Sequence, residues 1–118
     1  MRKKRRLARA QLDYMAAKEH FLLTSKQTDI KLDELREEGI EIGQKEMEDV
    51  ITRSGLHKAF NELINAENIL IEWSHTSIKI TPEYKADREM YENLYNNVKN
   101  DPEGRKTIIE MAMLLDLD

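Results

Sequence analysis

The sequence predicts an all-α fold of four to five helices, arranged as an antiparallel bundle or as extended helical hairpins. Three observations carry this expectation. Apolar residues recur with a helical period along most of the chain. Gly and Pro number only four and two among 118 residues, so helix breakers are scarce. Leu56, Leu63 and Leu70 interleave with Ala59, Ala66 and Trp73 in seven-residue steps, the pattern by which one helix packs on another.

Residues 2–23 form the first expected helix. Leu7, Ala10, Tyr14, Ala17 and Phe21 follow a 3-4 spacing that places them on one stripe. Ala8, Leu12, Met15 and Leu22 make a second, adjacent stripe. The two together are wider than a peripheral helix of a small bundle needs. The polar run Thr24-Ser25-Lys26-Gln27-Thr28-Asp29 contains no apolar residue and predicts a break, with Asp29 capping the next helix. That second helical stretch starts near Ile30 and carries Leu32, Leu35, Ile40, Met47, Val50 and Ile51. Gly39 and Gly43 weaken its middle by about 1 kcal/mol each relative to alanine, which leaves room for a break near Gly39, as Ser54-Gly55 does further on.

The heptad-patterned stretch runs from Leu56 to about His75, with Phe60 and Ile64 flanking the repeat. Its length is short for a free coiled coil and suits a bundle. Ser77-Ile78-Lys79-Ile80 alternates as a short extended segment would. Thr81-Pro82-Glu83 then reads as a helix start, with Thr as N-cap and Pro at the first helical position. Tyr84, Met90, Tyr91, Leu94, Tyr95 and Val98 carry that helix. Asp101-Pro102-Glu103-Gly104 marks a turn and a last helix start, followed by Ile108, Ile109, Met111, Ala112, Leu114 and Leu115. The tyrosine stripe is expected in the core, since a base-stacking platform would interleave more cations than Lys85 and Arg88.

Charge is split unevenly. The first ten residues hold Arg2, Lys3, Lys4, Arg5, Arg6 and Arg9 and no acid, yet the chain carries net charge −4. Residues 11–118 therefore hold 13 basic against 23 acidic side chains, a balance of −10. A basic N-terminal arm over residues 1–10 attached to an acidic single domain over 1–118 is the expected organisation. Such a cluster repels itself, and the positive end of a helix is a poor place for it, so an anionic partner is one expectation and a frayed, solvated tip is the other. The six cations are the candidate polyanion-binding residues. Phosphate contact requires only positive charge within reach. Sequence-specific DNA reading is not expected, because no basic recognition helix follows a helix-turn signal.

Composition excludes several classes. Hydrophobic residues at 40% and charged residues at 36% exclude a disordered chain and a membrane-spanning one. No apolar run approaches the roughly 20 residues of a spanning helix. Gln11, Asp13 and Lys18 interrupt any signal-peptide core. Cysteine is absent, so disulfides and thiolate metal sites are excluded. A cytoplasmic location is expected. Glu72-x-x-His75 has the spacing of one di-iron ligand pair, but that arrangement needs a second pair and two further Glu, so no metal is expected. Gly39-Ile40-Glu41-Ile42-Gly43 contains a GxxxG in a charged stretch, where that motif loses its lipid-phase meaning. No Walker A, GxGxxG or GxSxG sequence occurs. Neither catalytic residues nor a cofactor are expected.

The basic helical start, the heptad stretch Leu56–Trp73 and the last helix from Asp101-Pro102 to Leu117 succeed one another in an order that loosely resembles small terminase subunits of tailed phages. Those are helical, ring-forming DNA-packaging adaptors. The likeness covers about a third of the chain and rests on generic helical features. It carries no residue role across.

The expected function is that of a non-enzymatic helical adaptor or assembly protein that binds a protein partner or itself. Leu56, Ala59, Phe60, Leu63, Leu70 and Trp73 are the expected helix interface or core. The alternative is a nucleic-acid-associated protein, for example a phage DNA-packaging adaptor, using the basic arm on phosphates.

Overall fold

The computed structural model describes residues 2–80 and 88–115, with side chains described over 5–77 and 88–115. Among the described residues the chain is 88% helical, in five helices and without a strand. The helices are α1 (Arg2–Glu37), α2 (Gln44–Ser54), α3 (Leu56–Ile80), α4 (Arg88–Asn97) and α5 (Pro102–Leu114).

Two breaks expected from the sequence do not occur. The polar run 24–29 continues α1 without interruption. Thr24 and Thr28 explain this. The Thr24 hydroxyl donates to the carbonyl of His20 at 2.8 Å, and the Thr28 hydroxyl donates to that of Thr24 at 2.8 Å. Each hydroxyl is satisfied inside the helix, so both threonines are buried without the chain leaving the α conformation. The extended segment expected at Ser77–Ile80 is likewise helical and forms the end of α3. Ser77 donates to the Trp73 carbonyl at 2.7 Å, the same one-turn return. A four-residue alternation is too short to oppose a helix already running. The helix start expected at Thr81-Pro82-Glu83 lies outside the described residues, as does Tyr84.

The glycine breaks do occur. Gly39 has φ +78°, a left-handed conformation that an L side chain resists. It closes α1 with the paired bonds of a Schellman turn: Gly39 N–H to Arg36 O at 3.0 Å and Ile40 N–H to Leu35 O at 3.0 Å. Gly55, at φ +77°, ends α2 in the same conformation and passes directly into α3. At the start of α5, Asp101 accepts from the Glu103 N–H at 3.1 Å, and Pro102 sits where no N–H is required.

The single domain expected over 1–118 is organised as two compact units. A terminal unit comprises Met1–Tyr14 with Ala66–Asp118, and a middle unit comprises Met15–Asn65. The terminal unit has a core drawn from four helices: Leu7 and Ala10 of α1, Leu70 and Ile71 of α3, Tyr91 of α4, and Ile108, Ile109 and Ala112 of α5. Gln11 closes the end of α5, donating to the carbonyls of Ala112 at 2.8 Å and Leu115 at 3.1 Å. Carbonyls at a helix end lack partners within the helix, so one side chain of α1 satisfies two of them. In the middle unit the buried residues are Thr24, Thr28, Leu32 and Ala59. Helix α2 buries none of its residues.

Candidate interaction surface

The expected interface residues of α3 are placed unequally. Ala59 and Leu70 are fully buried, and Leu56, Leu63 and Trp73 are half-buried. Phe60 is exposed, at 46% of its surface, with its ring 5.8 Å from that of Phe21 in a tilted contact. The heptad spacing thus finds the buried face at Ala59 and Leu70. It does not distinguish the flanking Phe60, which lies one residue past that face.

Helix α1 divides its two stripes in the same way. On the first, Leu7 and Ala10 are buried and Tyr14, Ala17 and Phe21 are half-buried. On the second, Ala8, Leu12, Met15 and Leu22 are all exposed. Leu23 and Ile30 are exposed as well. Exposing one leucine is ordinary; here a helically spaced series of large apolar residues is exposed on one helix.

The basic cluster occupies the opening turns of α1. Arg5, Arg6 and Arg9 are exposed, while the side chains of Arg2, Lys3 and Lys4 lie outside the described set. Leu7 and Ala10, interleaved with these cations, are buried in the terminal core. Arg5, Arg6 and Arg9 thus sit on the outward face of a docked helix. Arg6 lies over the Trp73 ring, 4.9 Å from its centroid, a contact that holds the guanidinium while leaving its charge available. Arg9 pairs with Asp13 one turn on, at 3.1 Å, and both side chains are more than half exposed. Such a pair contributes about 0.3–0.5 kcal/mol.

His75 pairs across helices and not with Glu72, its neighbour three residues before. Its Nε2 lies 2.6 Å from Glu92 Oε2, and its ring stacks flat on Tyr95 at 3.8 Å. Beside it, the buried Tyr91 hydroxyl donates to Ser74 Oγ at 2.6 Å, and Ser74 donates in turn to the Ile71 carbonyl at 2.8 Å. Burial pushes the Tyr91 hydroxyl pKa up, and the Ser74 bond opposes that shift only in part. Arg105 of α5 reaches Glu67 at 3.4 Å and Asn68 at 2.8 Å on α3. These contacts tie α3 to α4 and α5. All but the Ser74–Ile71 bond, which lies within α3, join different helices, where local spacing rules do not reach.

Among the described residues no group of three or more His, Asp or Glu could hold a metal ion. No described helix is long and apolar enough to cross a membrane. Among the described residues, the exposed large apolar side chains of α1 are Leu12, Met15, Leu22, Leu23 and Ile30. No protein-family model, curated protein or solved structure matches this chain.

Proposed function

We propose that this chain is a non-enzymatic helical interaction or assembly protein, an adaptor that offers an apolar face of α1 to a second copy of itself or to another helical protein. The observation that supports this reading is the exposure of the second α1 stripe, Ala8, Leu12, Met15 and Leu22, beside a first stripe that the fold does use. Covering exposed apolar surface is worth about 25 cal/mol per Å², so a series of large side chains supplies a real driving force for association. The test is mass in solution as a function of concentration. Association that persists in high salt supports the reading, because an apolar helical interface is little affected by ionic strength. A strict monomer that captures no helical partner overturns it.

A second reading is favoured by a separate observation, the outward placement of Arg5, Arg6 and Arg9. In it the chain associates with nucleic acid through phosphate contacts, as a packaging adaptor would. That binding weakens steeply between low and moderate salt. Replacing Lys3, Lys4, Arg5 and Arg6 with Ala abolishes it while changing stability by less than about 1 kcal/mol, since exposed ion pairs contribute little. Salt-independent binding, or binding that survives the replacement, overturns this reading.

A further inference from the structure

Within the middle unit, one face of α1 combines apolar and charged residues in an order that specifies how a second copy would lie on it. Met15, Leu22, Leu23 and Ile30 are 54%, 57%, 54% and 48% exposed. Glu19 and Lys26 sit between them on the same face, at 3-4 spacing, and both are exposed. Neither takes an ion pair among the described residues. The face is therefore an apolar strip with one acid toward its beginning and one base toward its end.

We propose that two copies of this chain pair through this face with their α1 helices antiparallel, about a two-fold axis passing between Leu22 and Leu23. This rests on the self-association reading above and adds the orientation. In that arrangement Leu22 of each copy lies level with Leu23 of the other, and all four leucines gather at the axis. Met15 of each copy lies beside Ile30 of the other, and Glu19 of each lies beside Lys26 of the other. The two opposite-charge contacts form together by symmetry. An in-register parallel pairing would instead set Glu19 against Glu19 and Lys26 against Lys26, two like-charge contacts. Charges at inward-facing positions of a helix pair select orientation in this way, at some cost in affinity.

The absence of cysteine makes the test direct. In the full-length chain, Leu22→Cys forms a disulfide dimer under mild oxidation, because the two copies of that position meet beside the axis. Met15→Cys alone does not. Its two copies stand about 22 Å apart along the helices at a rise of about 1.5 Å per residue, beyond disulfide reach. Mixing Met15→Cys with Ile30→Cys forms the mixed dimer. Separately, Glu19→Lys or Lys26→Glu weakens dimerisation about tenfold or more through like-charge contact, and the double exchange restores it to within about threefold. Circular dichroism of each variant confirms an unchanged helix content. Efficient crosslinking by Met15→Cys alone shows a parallel pair and overturns the proposal. A dimer indifferent to both single charge changes also overturns it, while leaving self-association intact. A wild-type chain that stays monomeric at every concentration overturns self-association and this orientation together.

Discussion

The two units of the molecule differ in the residues they bury. In the terminal unit a core of large side chains forms, with Leu7, Leu70, Tyr91 and Ile108 among the most fully buried in the protein, while Leu12, Ile69, Met90 and Leu114 stay exposed. In the middle unit the buried positions are mostly small or polar, namely Thr24, Thr28 and Ala59 with Leu32, while Met15, Leu22, Leu23, Ile30 and Phe60 remain exposed. Composition does not explain the difference, since both units contain ample leucine and isoleucine. What differs is how many helices supply the core. Segments of four helices surround the terminal core, whereas α2 buries nothing in the middle unit. The terminal unit has a core of large side chains, and in the function proposed above the exposed face of α1, which continues into the middle unit, meets a partner.

The largest expected effect breaks the terminal side of this comparison. Leu70→Ala removes a fully buried side chain and should cost about 2–5 kcal/mol, read as a lowered denaturant midpoint. Leu63→Ala occupies the same heptad position in the middle unit but starts half-buried. Its cost should be less than about 2 kcal/mol, in proportion to its partial burial. Equal losses at the two positions would remove the distinction between the units.

Asp101→Ala should cost about 1 kcal/mol by leaving the first turn of α5 uncapped. Thermal unfolding measures it, and Asp101→Ser, which keeps an acceptor at the cap, should recover most of the loss.

Tyr91→Phe should cost about 1 kcal/mol by removing one buried hydrogen bond. It also changes the alkaline limit of stability. The folded-state pKa of Tyr91 is raised by burial, so the hydroxyl prefers to stay protonated in the fold. That contribution is complete below the ordinary tyrosine value of about 10 and is lost as pH climbs through the raised folded value. Stability of the wild type should therefore fall more steeply than that of Tyr91→Phe above about pH 10. Parallel declines would show that the terminal core opens before Tyr91 ionises.

Much of this organisation can be read from the residues alone. Gly39 and Gly55 end helices because the left-handed turn needs them, and Asp101-Pro102 starts one because cap and missing donor coincide. Ala59 and Leu70 are buried where the seven-residue repeat places them. The polar run Thr24–Asp29 misleads because it lacks apolar residues, yet it also lacks any glycine or proline to stop a helix. Its threonines return their hydroxyls to the backbone and become the buried face of the middle unit. Reading them as loop-formers overlooks that option. The His75–Glu92, Arg105–Glu67 and Gln11–Ala112 contacts join different helices, so their pairing depends on tertiary packing that periodicity does not encode. The exposed α1 stripe is visible in the sequence as a second apolar series. Its exposure, however, emerges only from seeing which stripe the fold covers.

The smallest effect on stability accompanies the most direct test. Leu22→Glu replaces an exposed apolar side chain with a good helix former, so unfolding free energy of the isolated chain should change by less than about 0.5 kcal/mol. Its mass in solution should change decisively. Sedimentation equilibrium over a wide concentration range should show the wild-type chain passing from monomer to a larger species, and Leu22→Glu remaining monomeric throughout. An identical mass for the two chains at every concentration would contradict the claim that the middle unit leaves this face for a partner copy.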